Sequence, residues 1–188
     1  MIRIILLGPP GAGKGTQAVR IAEHFNIPAI STGEIFRKNM SENTPLGIEA
    51  KKYVEKGEYV PDTVTNPMVA SRLTEDDCSN GFLLDGYPRT IEQAEVLNGI
   101  LVERGEELDF VLEIQADDDE VVKRMLNRAK EQNRPDDNEE VIRERMKIYH
   151  ELTRPLTDYY SKLGLLVQVD GSGSIDEVSE LIFKALAK

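Results

Sequence analysis

Residues 2–16 read Ile2-Arg3-Ile4-Ile5-Leu6-Leu7-Gly8-Pro9-Pro10-Gly11-Ala12-Gly13-Lys14-Gly15-Thr16. A short apolar run enters a glycine-rich loop that carries a lysine, and an amphipathic helical pattern follows over Lys14–Phe25. A buried strand, a flexible loop and a helix in that order form a phosphate-binding P-loop. Glycines let successive backbone N–H groups turn inward onto phosphate oxygens. The following helix aims its partial positive end at the same anion, and Lys14 adds a full charge for the outer phosphates. The stretch points to a bound nucleoside triphosphate. One detail departs from the general pattern, which places Ser or Thr directly after the lysine. Here Gly15 intervenes and the hydroxyl arrives at Thr16, the candidate Mg²⁺ ligand.

Outward from that loop, short apolar stretches alternate with helical ones. Strands are expected at Ile2–Leu7, Pro28–Ser31, Gly81–Asp85, Phe110–Gln115 and Leu165–Asp170. Helices are expected at Lys14–Phe25, Ile91–Glu103, Asp118–Lys130, Glu139–Leu163 and Ile175–Ala187. This alternation predicts βαβ units and an α/β fold with a five-stranded parallel sheet between helical layers. Two stretches interrupt it. Residues 32–80 carry three helical patterns, punctuated by Thr44-Pro45, Gly57 and Pro61-Asp62, and read as a helical insertion. Lys130–Asn138 is polar and reads as a short exposed loop, of the kind that covers phosphate sites as a lid.

Composition sets the limits. The chain has 188 residues, 40% hydrophobic and 30% charged, with a net charge of −11. That describes one soluble globular domain, and the negative balance disfavours nucleic acid or an anionic membrane as partner. The chain has no apolar run long enough to span a bilayer. Ile2–Leu7 is too short for a signal-peptide core and is needed as a strand, so the expected compartment is the cytoplasm. The single cysteine, Cys78, excludes an internal disulfide and a cysteine-based structural zinc site, and reads as an inert thiol. Without a heptad seam, nothing calls for more than a monomer.

Several residues could carry chemistry. Asp85 ends the apolar run Phe82-Leu83-Leu84, where a carboxylate can hold Mg²⁺ directly or through water. An ordinary Asp-Gly turn explains it equally well. Arg124 and Arg128 are four apart and share a helix face, and Arg134 lies in the polar loop. Arg143 and Arg145, two apart, face differently, so only one need point at the site; Arg37 and Arg89 complete the set. Each could be a solvated charge, but several guanidiniums near a P-loop suit phosphoryl transfer, whose transition state spreads negative charge over equatorial oxygens. His24 and His150 sit inside helical patterns and read as structural, so no covalent intermediate is implied. Thr90-Ile91-Glu92-Gln93 reads, on sequence alone, as a helix-capping box, as does Ser174 with Glu177.

Taken together the motifs resemble the adenylate kinases over essentially the whole chain. The residues that carry the resemblance are Gly8–Thr16 with its Gly-Lys-Gly-Thr ending, Ser31-Thr32-Gly33-Glu34, Asp85-Gly86-Tyr87-Pro88-Arg89-Thr90 with Gln93, and Arg134-Pro135-Asp136-Asp137-Asn138-Glu139-Glu140. The displaced Thr16 is itself a mark of that family. The resemblance implies a reversible Mg²⁺-dependent transfer of a phosphoryl group from ATP to AMP, giving two ADP. It implies a core of residues 1–30, 61–126 and 138–188, a monophosphate-binding segment at 31–60 and a short lid at 127–137. On the ATP side it implies Gly11, Ala12, Gly13, Lys14, Gly15, Thr16, Arg128 and Gly173. On the AMP side it implies Thr32, Arg37, Glu58, Tyr59, Val60, Gly86, Tyr87, Pro88, Arg89 and Gln93. Arg124, Arg134 and Arg145 would join Lys14 and Arg89 around the moving phosphoryl, the last two also reaching the AMP phosphate.

The chain departs from many relatives at Glu34, where Asp is common, and at Tyr87, where Phe is common. Thr32 and Thr90 favour AMP over UMP or CMP, because pyrimidine-monophosphate relatives tend to carry Ala and Asn there. A UMP/CMP kinase or a non-catalytic P-loop nucleotide-binding protein are the alternatives. A GTPase switch would need Asn-Lys-x-Asp, which this chain lacks.

Overall fold

The computed structural model describes residues 1–132 and 138–187. Five parallel strands stand in the order β2-β3-β1-β4-β5: β1 (Ile2–Leu7), β2 (Ala29–Ser31), β3 (Gly81–Asp85), β4 (Phe110–Gln115) and β5 (Leu166–Asp170). Successive strand residues point to opposite faces, so each central strand feeds two cores. Ile5, Leu7, Leu84 and Val111 face one layer, built from α4 (Asp62–Leu73), α5 (Ile91–Glu103) and α8 (Pro155–Lys162). Ile4, Leu6, Leu83 and Leu112 face the other, built from α1 (Lys14–Phe25) and α9 (Ile175–Leu186). The three-layer α/β architecture expected from the alternation is present.

The strand order positions the site. From β1 the chain crosses to the β2 side, whereas from β3 it crosses to the β4 side, and β1 and β3 are neighbours. Their carboxyl ends therefore diverge and leave a crevice, the usual place for a ligand on an open parallel sheet. The loop of residues 8–13 leaves β1 there, and residues 86–90 leave β3 beside it.

The insertion is helical as expected, with α2 (Thr32–Ser41), α3 (Pro45–Val54), α4 and a 3₁₀ turn at Asp76–Cys78. Ser31 caps α2 by accepting from the Glu34 N–H, and Thr44 caps α3 by accepting from the Gly47 N–H. The first two helices close on a small core of their own, Phe36, Ala50 and Val60. A fourth cluster, Val121, Met125, Ile142 and Met146, joins α6 (Asp118–Gln132) to α7 (Glu139–Ile148).

Two expectations are corrected. The polar loop begins later than Lys130, because α6 continues through Gln132. Ala129, Lys130, Glu131 and Gln132 are all strong helix formers, and polarity alone does not end a helix. The helix expected over Glu139–Leu163 is interrupted. Pro155 has no N–H to donate, so it fits only the first turn of a new helix, α8. The residues before it, Tyr149–Thr153, take the wider π turn, with the Arg154 N–H bonded to the Tyr149 carbonyl at 2.8 Å. Elsewhere the expected ends agree to within a residue or two.

Candidate active site

A cavity of about 620 Å³ opens at the carboxyl ends of β1 and β3. Among the described residues that line it are six basic side chains, Lys14, Arg37, Arg89, Arg124, Arg128 and Arg145, against three acidic ones, Glu34, Glu58 and Asp85. In a chain of net charge −11 that local reversal marks an anion site.

The P-loop floors the cavity. Gly13 is the N-cap of α1 with φ of 94°, a conformation that side chains rarely adopt, and no side chain caps that helix. The first N–H groups of α1 are left for a ligand. Lys14 donates from Nζ to the Gly8 and Pro9 carbonyls, both at 3.0 Å, so the loop holds its own lysine in place. Desolvation pushes the Lys14 pKa down to about 8; the Asp85 carboxylate opposes that, while the Arg89 and Arg128 cations add to it. Gly11, Gly15 and Thr16 line the same floor. Ala12 does not; its side chain is buried in the core and its N–H donates to Pro9.

Two groups could bind a divalent cation. The Thr16 hydroxyl and the Asp85 carboxylate both line the cavity near Lys14. Among the described residues no cluster of three His, Cys, Asp or Glu side chains could hold a metal alone. That sparse, all-oxygen donor set suits Mg²⁺, which takes one or two protein oxygens and draws the rest from phosphates and water.

The opposite wall is made of side chains. Thr32, buried at the start of α2, donates its hydroxyl to the Gly86 carbonyl at 2.9 Å. Arg89 Nε donates to the same carbonyl at 2.8 Å. Gly86 has φ of 84°, and a Cβ there would lie 2.7 Å from Thr32 Oγ1. Arg37 lies against Gly33, and Glu58, Tyr59, Val60 and Pro88 complete this side.

Gln93 takes part in capping α5, and its side chain also lines the cavity. Its Oε1 accepts from the Arg89 N–H at 2.8 Å, one residue before the Thr90 cap, and its own N–H is capped by Thr90 Oγ1. Its Nε2 donates to Asp62 Oδ1 at 2.8 Å. A backbone N–H can only donate and a carboxylate only accept, so the amide has one orientation. One lone pair and one N–H remain.

Three arginines come from the far side. Arg124, Arg128 and Arg145 line the cavity; Arg124 is held by Glu120 at 2.5 Å and by the Gly171 carbonyl at 3.2 Å. Arg143 instead pairs with Glu139 in solvent, so of that pair Arg145 is the inward one. Arg134 and most of the expected lid beyond Gln132 lie outside the described residues.

Two expected contacts fall elsewhere. Tyr87 is fully buried against the sheet, and its hydroxyl donates to Asn66 Oδ1 at 2.8 Å, which ties α4 to the 86–89 turn. Gly173 sits exposed in the turn before α9, where Ser174 and Glu177 form the expected capping box. Neither lines the cavity. His24 stacks on Phe183 and His150 pairs with Asp118, while burial pushes the Cys78 thiol up to about 11.

Among the lining residues that sequence reasoning missed are Tyr149 and Thr153. Both lie in the π turn, and the only sign of that turn in the sequence is Pro155 inside an otherwise helical pattern.

The family model described as adenylate kinase matches residues 6–165. Among curated proteins the chain is 55% identical over 186 residues to an adenylate kinase of Pseudarthrobacter chlorophenolicus, covering 99% of this chain and 97% of that one. It is 56% identical over 185 residues to one of Nocardioides, covering 98% and 97%. With one of Kocuria rhizophila it shares 55% identity over 188 residues, the full length of both.

Proposed function

The chain belongs to the adenylate kinase family and is an ATP:AMP phosphotransferase, and on that premise we propose how its residues divide the work. ATP lies along the P-loop, with its outer phosphates on the N–H groups of α1 and on Lys14. AMP lies against the 31–60 segment and the 86–93 turn. The phosphoryl group passes directly between them, in line. Arg89, Arg124, Arg145 and, in the lid, Arg134 supply fixed positive charge around it, and Arg128 covers the ATP side. Mg²⁺, when bound, neutralises phosphate charge; Thr16 and Asp85 are the residues that would hold it. Closing of segments 31–60 and 127–137 over the core excludes water, which would otherwise hydrolyse ATP. The enzyme works as a cytoplasmic monomer on nucleotides, not on nucleic acid. Among the described residues no helix is long and apolar enough to cross a membrane.

The observation that supports this reading most directly is that one cavity is lined by both Lys14 and the Arg89–Gln93 turn. The base choice rests on Gln93. Adenine offers a donor beside an acceptor, which matches the one lone pair and one N–H that the Gln93 amide has left; a 6-oxopurine presents the reverse order. ADP formation from ATP with AMP, GMP, CMP or UMP as acceptor tests it. AMP is expected to be preferred by at least about tenfold, the scale of one mismatched hydrogen-bond pair. Equal or better turnover of UMP or CMP overturns the base assignment. ATP hydrolysis with no acceptor turned over overturns the transfer itself.

A further inference from the structure

Arg89 is held at three points. Its N–H donates to Gln93 Oε1 and its Nε to the Gly86 carbonyl, each at 2.8 Å. Both of those partners lie within four residues of it, in the same turn or the start of α5. The third does not: the Arg89 carbonyl accepts from Thr153 Oγ1 at 2.8 Å, across 64 residues of chain. Thr153 is buried and comes from the π turn that follows α7. A regular helix would place a different residue at this point, and π turns of this kind recur at functional sites.

Thr153 also lies 2.5 Å from the Tyr59 hydroxyl. The proton on each oxygen can be assigned. A carbonyl only accepts, so the single Thr153 proton goes to Arg89. Tyr59 must then be the donor to Thr153. The chain of bonds runs one way, from the Tyr59 hydroxyl to Thr153 Oγ1 to the Arg89 carbonyl. The ring of Tyr59 meets the same arginine directly, with the Arg89 Cζ 5.0 Å from its centroid. Tyr59 stands at the end of the 31–60 segment, next to Val60 of that segment's small core. The insertion thus reaches Arg89 twice, once through the Tyr59 ring and once through Thr153.

We propose that Thr153 is a positioning residue that couples the seating of the monophosphate-binding segment to the orientation of Arg89. It rests on the reading that Arg89 engages the transferring phosphoryl. When the segment is seated, the Tyr59 hydroxyl and ring fix both the backbone and the guanidinium of Arg89. When it is not, Thr153 loses its donor and Arg89 keeps only the holds of its own turn.

Steady-state kinetics on three variants test this. Thr153→Val keeps the shape and removes the hydroxyl, so it leaves the Arg89 carbonyl and the Tyr59 hydroxyl without their partner. It is expected to lower kcat about tenfold at saturating ATP and AMP, with KM for ATP within about twofold, the scale of one orphaned buried group expressed in the transition state. Thr153→Ser restores the hydroxyl and is expected to recover most of that loss. Tyr59→Phe keeps the ring and removes only the donor, and is expected to lower kcat about threefold with a rise in KM for AMP. In an Arg89→Ala background, Thr153→Val is expected to have almost no further effect on kcat, because it acts through the missing side chain's position. A Thr153→Val enzyme with unchanged kcat overturns the proposal. So does a Thr153→Ser enzyme as slow as Thr153→Val, which would make the role one of packing. So does full additivity with Arg89→Ala. If Thr153→Val fails to fold, a Tyr59→Phe enzyme with unchanged kcat and AMP KM overturns it alone. Normal turnover of Arg89→Ala itself would instead remove the role given to Arg89.

Discussion

The two walls of the cavity are built from different material. The wall we assign to the triphosphate is backbone: Gly8, Gly11 and Gly13 at positive φ, the N–H groups of α1, and a lysine held by the loop's own carbonyls. It stands on the central strand of the sheet, above both large cores. The wall we assign to the monophosphate is side chains, Thr32, Arg37, Tyr59, Arg89 and Gln93: Thr32 and Arg89 meet on the Gly86 carbonyl, Gln93 holds the Arg89 N–H, and part of the wall is carried by an insertion whose own core is Phe36, Ala50 and Val60. Backbone recognition needs only a rigid support and tolerates any phosphate chain. Side-chain recognition selects a base but depends on several groups being placed at once. The rigid wall therefore suits a phosphate tail, and the adjustable one suits the substrate that must be told from its relatives.

Substitutions can break or sharpen that contrast. The largest effect is expected at Lys14, the charge that the backbone wall holds with its own carbonyls. Lys14→Ala should lower kcat/KM by at least about 100-fold, the scale of losing one preorganised charge at a phosphoryl. A loss under about tenfold would mean that backbone alone suffices there.

Next is Gly86→Ala on the opposite wall. The added methyl meets Thr32 Oγ1 at 2.7 Å and requires φ of 84° from an L-residue. An increase of about tenfold in the KM for AMP is expected, with KM for ATP within about twofold, because the strain of roughly 1–2 kcal/mol is local. Equal damage to both would show that the walls are not independent.

Phe36→Ala opens a gap in the small core at a cavity-lining residue that carries no charge for a phosphate. A severalfold rise in KM for AMP and faster amide exchange in 31–60 are expected, since a cavity there loosens that segment first. Uniform exchange across the sheet would contradict a separate core.

The mildest test is pH. The Lys14 pKa of about 8 in the folded protein lies below its ordinary 10.5, so the unfolded chain binds more protons between those values. Stability should rise as pH climbs from about 8 to 10.5, and that increment should vanish in Lys14→Ala. Activity moves the other way: kcat/KM for ATP should fall above about pH 8, where the free enzyme loses the charge. The limb for kcat should lie higher, because bound phosphate favours the protonated lysine. A flat profile from pH 7 to 9 would remove this group from triphosphate binding.

The same contrast explains what the sequence could reveal. A backbone wall is written in consecutive residues, so Gly8–Thr16 identifies it directly, and the apolar runs at Ile2–Leu7 and Gly81–Asp85 locate the strands that bear it. The side-chain wall is assembled from distant stretches. Thr32, Arg89 and Gln93 are recognisable through motifs, but the bond from Asp62 to Gln93 and the bridge from Tyr59 to Thr153 have no local signature. Tyr87 misleads for a related reason: it sits inside a binding motif yet points into the core, which motif membership does not report. The break within the 139–163 helix has no local signature but Pro155, because one wider turn barely disturbs the polar and apolar spacing of the helix it interrupts.

Helix α6 has a mechanical consequence. Val121 and Met125 are packed among Ile142 and Met146, whereas the helix runs on to Gln132 at the cavity mouth. At 1.5 Å per residue, Arg128 lies about 4.5 Å beyond Met125 and Gln132 about 10 Å. A rotation about that packed point is thus geared: a swing of about 20° carries Gln132 roughly 4 Å and Arg128 under about 2 Å, while Arg124 scarcely moves. One rigid rod can sweep its tip across the cavity while its inner end stays packed.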